Sequence, residues 1–328
     1  MGRLRFFAAA LLLAAPAAAN DSTAENGAGG LVLTRSESID MVSEDLFVSA
    51  DQVRVRYVFR NRSPADVRVT VAFPLPDRDL SVEQHSDVAF PSDFSTRVEG
   101  APVAMRVERK ALLKGRDVTA SLAALKIPVS GEDIGKVLDA LPQAHGQRLE
   151  RLGLAGIDEY DAGKGMERHL YPLWTVKETW YWEQTFPAGR DLKVEHDYRP
   201  GTGGSVGTPL ADKDFRKLAE GRQMIAHYCA DAAFLAGLDR MSKAAGPEYP
   251  ILPEQRVSYV LTTGANWRAP IGDFRLVVDK GAAENLVSFC GSFVRKISPT
   301  RFEMRRTNWR PDRDLHVLIV RPAPVPTP

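Results

Sequence analysis

The sequence predicts a mainly β protein, a β-sandwich of one or two lobes with helical insertions. Two observations support this prediction. Apolar and polar residues alternate over several short segments, and clusters of Gly, Pro, Asn and Asp separate those segments. The clearest example is the stretch 51–76, DQVRVRYVFRNRSPADVRVTVAFPLP, in which two runs of period-two alternation flank a polar turn. This pattern is typical of a half-buried β-hairpin, which we expect at the centre of the sandwich.

The first nineteen residues have the features of a secretory signal peptide. Arg3 and Arg5 form a basic start, an apolar run follows at 6–15, and small residues occupy 17–19. The apolar run is too short to cross a bilayer as a stable helix. We expect cleavage after Ala19, a periplasmic or secreted protein, and no transmembrane segment in the mature chain.

From the leader onward, the predicted elements follow one another along the chain. Residues 20–30, NDSTAENGAGG, are small and polar, so we expect them to lie along the surface or to fray. Strands are predicted at 31–33 and 39–48, in the central hairpin, and near 94–98 and 103–107. We assign residues 20–107, together with 171–200, to an N-terminal β-sandwich.

Helical periodicity replaces the strand pattern in residues 108–170, which we expect to form a helical insert. Short helices are predicted at 117–125, at 134–141 and at 147–152, and a loose stretch at 156–165. Strand patterns return at 174–186 and 192–198, where Pro187-Ala188-Gly189 predicts a second hairpin.

The rest of the chain divides into three parts. Residues 201–250 are predicted to form a loop and helical connector, with helix signals at 212–220 and then a longer helix capped by Asp231. Residues 251–321 form a C-terminal β region, with five strands predicted at 257–263, 274–278, 286–289, 301–306 and 315–320. Residues 322–328 are a proline-rich tail that we expect to extend into solvent.

Several segments resemble the bacterial family known as domain of unknown function 4424. The resemblance is carried by SEDLFVSADQVRVRYVFRNRS, VAFPLPD, YVLTTGANWRAPIGDFRLVVDKG, LVSFCG and KISPTRFEMRRTNWRPDRDLHVLIV. It covers most of the mature chain and implies an exported bacterial protein, but the family's name states no activity and so supplies no catalytic residues. YVFRNRSPADVRVTVAFPLP and WEQTFPAGRDLKVEHDY also resemble the N-terminal sandwich domain of inter-alpha-trypsin inhibitor heavy chains, which implies a fold alone.

The densest aromatic group in the chain comprises Tyr171, Trp174, Trp180, Tyr181 and Trp182. Exposed rings of this kind stack on sugars or hold a protein partner, whereas buried ones form core. Trp180 and Trp182 share a strand face with apolar residues, which favours the core for both. Trp174 and Tyr181 are therefore the predicted ligand-binding rings.

Four arginines, Arg54, Arg56, Arg60 and Arg68, are predicted on the outward face of the central hairpin. They could bind an anionic partner, or they could form the solvated face that a one-sided sheet presents in any case. The second interpretation is favoured, and we retain Arg54 and Arg56 as candidate binding residues.

The chain has two cysteines, Cys229 and Cys290. In an exported protein this number suggests one disulfide. It would close a loop of about 60 residues and contribute roughly 4 kcal/mol to stability. The alternative is two separate buried thiols.

Motifs for catalysis and metal binding are weak. Residues 203–207 match G-x-S-x-G, but a nucleophile elbow needs a strand before it and a helix after it, and prolines flank this segment on both sides. A flexible glycine-rich loop is therefore favoured over Ser205 as a nucleophile.

The acidic residues Asp158, Glu159 and Asp161 lack the spacing of a calcium loop. No two of the six histidines have metal-ligand spacing, so no metal or other cofactor is predicted.

The leading hypothesis is an exported, non-enzymatic envelope protein that binds another protein or a glycan. The formal net charge of +1 argues against a nucleic-acid partner, which would require a basic surface. The first alternative is a hydrolase or glycan-processing enzyme, which would show a pocket with several titratable side chains of perturbed pKa. A further alternative is carbohydrate binding through Trp174 and Tyr181.

Overall fold

The computed structural model describes residues 20–27, 30–83, 91–131, 133–161, 163, 165–246 and 251–323, so the predicted signal peptide and the end of the predicted tail lie outside the described residues. The strands in these ranges are β1 (Ser22–Gly27), β2 (Gly30–Thr34), β3 (Ile39–Val48), β4 (Val53–Asn61), β5 (Val67–Pro74), β6 (Arg78–Asp79), β7 (Ser92–Val98), β8 (Ala101–Pro102), β9 (Arg106–Leu113), β10 (Arg116–Asp117), β11 (Ala155–Asp161), β12 (Met166–Pro172), β13 (Thr175–Phe186), β14 (Asp191–Arg199), β15 (Thr202–Ser205), β16 (Glu254–Tyr259), β17 (Ile271–Asp279), β18 (Leu286–Phe289), β19 (Arg295–Lys296), β20 (Arg301–Trp309) and β21 (Leu315–Val320). The helices are α1 (Leu80–Glu83), α2 (Thr119–Ala124), α3 (Ile134–Asp139), α4 (Gln143–Arg151), α5 (Ala219–Tyr228) and α6 (Ala232–Ala245), with 3₁₀ helices at Pro209–Ala211, Phe215–Lys217 and Thr262–Asn266.

The prediction of a mainly β, sandwich-like fold is confirmed, because two large sheets face each other across one core. Within the described residues, the first sheet has the order β19-β20-β17-β3-β4-β14-β7-β8. The second has the order β10-β9-β13-β5-β1-β2, with β6 also paired to β13. Strands β17 and β3 are parallel neighbours, and through this pair the C-terminal strands extend a sheet built from N-terminal ones.

Aromatic side chains from both sheets fill the space between them. Phe59 of β4 lies with its ring centroid 5.8 Å from Phe186 of β13 and 4.5 Å from Trp267. Phe73 of β5 lies 4.7 Å from the His196 ring of β14. Burial of these large apolar side chains is the main force that holds the two sheets together.

Neither predicted hairpin is a hairpin. Strands β4 and β5 form where they are predicted, but β4 pairs with β3 and β14, whereas β5 pairs with β1 and β13. Strands β13 and β14 likewise belong to opposite sheets. Both connections therefore cross the sandwich, and Asn61 holds them together by donating from Nδ2 to the carbonyls of Ala65 and Phe186 at 2.8 and 2.9 Å. Period-two alternation identifies a half-buried strand but does not identify its neighbour.

The prediction that residues 20–30 lie on the surface or fray is wrong for the first half of this segment. Asn20 and Asp21 are fully buried, and β1 pairs with β2 on one side and β5 on the other. Small polar residues have low β-propensity, but pairing and burial determine whether such a segment forms a strand.

The helical insert forms a second hydrophobic cluster against β9, β12 and β13. Leu122 of α2, Leu138 of α3 and Leu149 of α4 are its fully buried helical members. The prediction of a loose stretch at 156–165 is wrong, because β11 and β12 form an antiparallel pair there. Asp161 stabilises the turn by accepting hydrogen bonds from the backbone of Gly163 and Gly165 at 2.7 and 3.1 Å.

A smaller third sheet, β15-β16-β21-β18, lies between the main core and the helices α5 and α6. Val317 and Ile319 of β21 face the main core, while Leu318 and Val320 face the helices. Helix α6 begins at the predicted cap, since the carboxylate of Asp231 accepts from the backbone of Phe234 at 2.7 Å. The predicted helix at 212–220 is instead a 3₁₀ turn leading into α5.

Candidate ligand-binding cavity

The strongest candidate site is a cavity of about 350 Å³ between β17, β20 and the start of β21. Its floor is apolar and consists of Leu261, Leu276, Met304, Trp309 and Leu315. Trp309 is half-buried and packs on Phe274 with the ring centroids 4.6 Å apart, which fixes the orientation of the indole. Small-molecule sites are typically concave and mostly apolar, with volumes of about 300–1,000 Å³.

Two arginines on the rim of this cavity have no carboxylate partner within the described residues. Arg306 donates to the hydroxyl of Ser292, and its guanidinium lies 5.4 Å from the centroid of the Phe293 ring. Arg310 donates to the carbonyl of Ala265 at 2.8 Å. Each guanidinium has five N–H donors, so both arginines keep donors for a ligand.

The other charged groups of the lining are already engaged. Arg313 lies 3.7 Å from the carboxylate of Asp312. Asp314 accepts from the backbone N–H groups of Leu261 and Thr262, each at 3.1 Å, and from the Thr262 hydroxyl at 2.8 Å. The positive charge open to a ligand is therefore concentrated at Arg306 and Arg310.

A disulfide and an apolar loop border the cavity. Cys229, at the end of α5, and Cys290, after β18, are bonded with an S–S distance of 2.08 Å, and both line the cavity. In the loop that follows Cys290, the Phe293 side chain is 83% exposed, and Val294 and Ile297 are exposed as well. Exposed apolar side chains that lie together often mark a binding surface.

Three residues at or beside the cavity have a left-handed backbone. The φ angles of Cys229, Phe293 and Asn308 are 51°, 58° and 50°. This conformation is uncommon for residues other than glycine, particularly bulky ones, and such residues cluster at ligand sites and clamps. The arrangement as a whole can hold an apolar group against the floor while guanidinium groups bind an attached anion, for which arginine is well suited.

A second, smaller cavity of about 210 Å³ has several titratable side chains in its lining, which includes Asp77, Tyr198, Tyr228, Arg256 and Ser258. Burial raises the pKa of Asp77 and of Tyr228. Ser258 lies 2.9 Å from Nδ1 of His316, and the two are directly opposite each other in the β16–β21 register.

His316 is poorly suited to act as a base towards Ser258. Burial, with a contribution from nearby His227, lowers the pKa of His316 to about 4. The two imidazoles stack with their centroids 4.1 Å apart. Within the described residues no carboxylate binds the second nitrogen of His316, so the orienting member of a catalytic triad is missing.

Of the two predicted ligand-binding rings, Trp174 is not available. It is fully buried in the cluster formed by the helical insert, and its indole N–H donates to the carbonyl of Val129 at 2.8 Å. The prediction is wrong because the insert covers this residue, which strand alternation could not indicate. Tyr181 is half-buried, with the Arg106 guanidinium 5.7 Å from its ring centroid, and a binding role for it stays a prediction.

Arg54 and Arg56 lie on the outward face of the first sheet and line a shallow cavity of about 130 Å³. Arg54 lies 5.4 Å from the centroid of the Phe47 ring, and Arg56 lies 3.4 Å from the carboxylate of Glu195. Neither residue lines the cavity beside Trp309, and anion binding by this pair stays a prediction.

The predicted loop around Ser205 contains strand β15, and the Ser205 hydroxyl donates to the carbonyl of Gly207 at 2.8 Å. A 3₁₀ turn, not an α-helix, follows it, so the segment is not a nucleophile elbow.

Among the described residues, no three His, Cys, Asp or Glu side chains come together in a way that could hold a metal ion. No helix in the described ranges is both long enough and apolar enough to cross a bilayer.

The rim arginines are functional candidates that the sequence analysis missed. The segment 305–313, RRTNWRPDR, contains four arginines in nine residues around one tryptophan. That density is a usable signal, but the floor beneath it comes from residues as far apart as Leu261 and Leu315, which only the topology brings together.

Comparison with known proteins identifies one family, and several solved structures also match. A family model described as "Domain of unknown function (DUF4424)" matches residues 19–318. A solved structure from Legionella pneumophila, described as that of a proposed nutrient binding protein, is 15% identical with a TM-score of 0.44. That likeness covers 92% of this chain and 70% of the other chain. Among curated proteins, none matches this sequence.

Proposed function

Because the chain belongs to the DUF4424 family, whose description names no activity, we propose a function from the cavity that Trp309 lines. The protein is an exported bacterial envelope protein that binds, without turnover, an apolar ligand ending in an anionic group such as a carboxylate. The observation that carries this proposal is the position of Arg306 and Arg310, free of carboxylate partners, beside an apolar floor.

Export is supported by the signal-peptide features of residues 1–19 and by the paired cysteines. Disulfides persist in the periplasm and outside the cell but are rare in the cytosol. Cell fractionation, with an intact-mass measurement of the purified protein, tests this part. A full-length chain that stays in the cytoplasm would contradict it.

The binding part is tested by titrating the purified protein with decanoate and following tryptophan fluorescence. Decanol, which has the same chain without the charge, is the matched ligand. We expect decanoate to bind more tightly, and the Arg306→Gln/Arg310→Gln variant to lose at least about tenfold in affinity, since hydrogen bonds to charged groups contribute about 1.5–3 kcal/mol. Trp309→Phe should remove most of the fluorescence change.

The matched control is the Arg54→Gln/Arg56→Gln variant, which removes the same charge from the other candidate surface. We expect its decanoate affinity to equal that of the unaltered protein. Equal binding of decanol and decanoate, or a larger loss in this control than at the cavity rim, contradicts the proposed site.

The anionic apolar group could belong to a free amphiphile or to the carboxyl terminus of a protein partner. A photo-crosslinking residue placed at Phe293, next to the cavity, distinguishes the two in cells. A discrete crosslinked band of higher mass indicates a protein, whereas a mass increase of a few hundred daltons or less on the intact chain indicates a free amphiphile.

Hydrolysis at the smaller cavity is the second candidate function, favoured by the 2.9 Å contact between Ser258 and His316. The lowered pKa of His316 and the absence of an orienting carboxylate among the described residues argue against it. Reaction with a fluorophosphonate probe, compared with Ser258→Ala, decides this point. Labelling that the variant abolishes would establish an activated serine.

A further inference from the structure

The first described residues of the chain lie in a buried polar cluster inside the sandwich. The backbone N–H of Asn20 donates to the Thr263 hydroxyl at 2.5 Å, and its side chain donates to the carboxylate of Glu44 at 2.9 Å. The Tyr57 hydroxyl donates to the Asn20 amide oxygen at 2.5 Å and lies 2.9 Å from the Tyr259 hydroxyl. Asn20 is completely buried.

Two carboxylates in this cluster are incompletely satisfied. One oxygen of Asp21 lies 3.1 Å from Nε2 of His196, and one oxygen of Glu44 binds Asn20. The other oxygen of each is buried without a hydrogen-bond partner in the described structure. No lysine or arginine among the described residues pairs with either side chain. Buried carboxylate oxygens without a partner are costly, so this arrangement calls for an additional donor.

Removal of the leader would supply that donor. A signal peptidase that cuts after Ala19 adds water across the Ala19–Asn20 peptide bond. The carbonyl carbon leaves with the leader as a carboxylate, and the nitrogen of Asn20 takes up protons to become an ammonium group. The single N–H donor of the amide, which binds the Thr263 hydroxyl, is replaced by three donors and a positive charge, so two further donors become available inside the cluster.

We propose that Asp21 and Glu44 form a buried anionic site for the chain's own α-ammonium group at Asn20, created when the leader is removed. This inference rests on the export that we propose above. The ammonium takes the place of the amide in a cluster that β3, β4, β14 and β16 already build, so leader removal completes the core of the sandwich.

The inference predicts how stability should depend on pH. In the uncut chain, burial raises the pKa of Glu44 to about 8, and burial also raises the pKa of Asp21 against the effect of His196. A carboxyl group whose pKa is raised by folding stabilises the protein at low pH, and this contribution is lost between the ordinary value of 4.5 and the raised value of about 8. The other titratable groups that face the site are Tyr57 and Tyr259, both neutral throughout this range.

The ammonium group should prevent most of the loss of stability between pH 4.5 and about pH 8. A positive charge beside Glu44 favours the carboxylate, which lowers the pKa of Glu44 and keeps the buried pair ionised at neutral pH. A chain that begins at Asn20 should therefore keep its stability between pH 5 and pH 8. A chain whose ammonium lies elsewhere should lose stability over the same range.

The test compares two proteins exported through their own leader. One is the unaltered chain, and the other carries one serine inserted between Ala19 and Asn20, which moves the ammonium by about 3.8 Å and leaves every side chain in place. Intact mass establishes where each begins. We expect the insertion to lower the folding equilibrium constant at pH 7 by at least about tenfold, because breaking a buried ion pair is strongly destabilising.

The Glu44→Gln variant distinguishes loss of an ion pair from a steric effect of the inserted serine, since glutamine keeps an oxygen for Asn20 but carries no charge. In the Glu44→Gln background the insertion should lower the folding equilibrium constant by less than about threefold. This result would establish coupling between residue 44 and the α-ammonium group. An independent readout is acylation of the α-amine under native conditions, which should be at least about tenfold slower in the unaltered protein than in the insertion variant.

The outcomes separate this inference from the proposed function. An insertion penalty that is the same in both backgrounds, or absent in both, overturns the inference and leaves export and ligand binding untouched. Cleavage at another position overturns the inference while supporting export. An uncut chain overturns both, and the decanoate titration then still tests the cavity by itself.

Discussion

At the residue scale, two buried tyrosines differ in whether the hydroxyl group has a partner. The Tyr57 hydroxyl is shared between Asn20 and Tyr259, whereas the Tyr198 hydroxyl has no hydrogen-bond partner in the described structure. The same substitution to phenylalanine should therefore have different effects. We expect Tyr57→Phe to destabilise the protein by about 1–3 kcal/mol, because it leaves buried polar atoms unsatisfied, and Tyr198→Phe to be neutral or stabilising by up to about 1 kcal/mol.

Guanidinium unfolding of the two variants at pH 7 measures this difference, with each serving as the control for the other. Both remove one hydroxyl from a fully buried ring, so the change in volume is matched. Equal destabilisation by the two substitutions would contradict the assignment of the Tyr198 hydroxyl as unpartnered.

At the element scale, helix α6 depends on the residue that caps its N-terminus. The Asp231 carboxylate accepts from the Phe234 backbone, and the helix then buries Phe234 and Leu238 against the third sheet. We expect Asp231→Ala to cost about 1 kcal/mol, since it leaves an N-terminal N–H without its acceptor. Asp231→Asn should restore most of that stability because asparagine is an equally good cap. Thermal unfolding followed by circular dichroism provides the measurement, and a failure of asparagine to rescue would attribute the loss to charge instead.

The extent of several elements could be predicted from local pattern alone. The predicted strands at 39–48, 286–289 and 315–320 have the same bounds as β3, β18 and β21. Their partners could not be predicted, because alternation is the same whether a strand pairs with its chain neighbour or crosses to the opposite sheet. Strand β1 was missed for a related reason, since STAENG has little β-propensity and is ordered by β2 and β5 on its two sides.

The candidate site could likewise be predicted only in part from the sequence. The arginine density at 305–313 is visible in the sequence, and so is the cysteine pair. The apolar floor is not, because Leu276 and Leu315 look like ordinary core residues until β17 and β21 place them beside one cavity. Trp174 shows the converse, a ring that stands out in the sequence but that the helical insert covers.

At the scale of the whole molecule, the disulfide adds a covalent link between the end of α5 and the end of β18, which already pack in one hydrophobic cluster. Cys229 follows α5 and Cys290 follows β18, at a sequence separation of 61 that spans α6, β16, β17 and β18. Closing a loop of this length restricts the unfolded chain, which corresponds to roughly 4 kcal/mol in the chain-entropy model. We expect the exported protein, denatured without reductant, to react with no maleimide, and the reduced protein to react with two.

The Cys229→Ser/Cys290→Ser variant should lose up to about 4 kcal/mol in free energy of unfolding relative to the oxidised protein and almost nothing relative to the reduced one. That second comparison is the control, because it separates the cross-link from the change of side chain. The variant should also bind decanoate more weakly, since Cys290 holds the base of the loop that carries Phe293 beside the cavity. Two reactive thiols in the unreduced protein would contradict the bond. Unchanged decanoate affinity in a variant that has lost stability would show instead that the cross-link serves the fold and that the cavity does not depend on it.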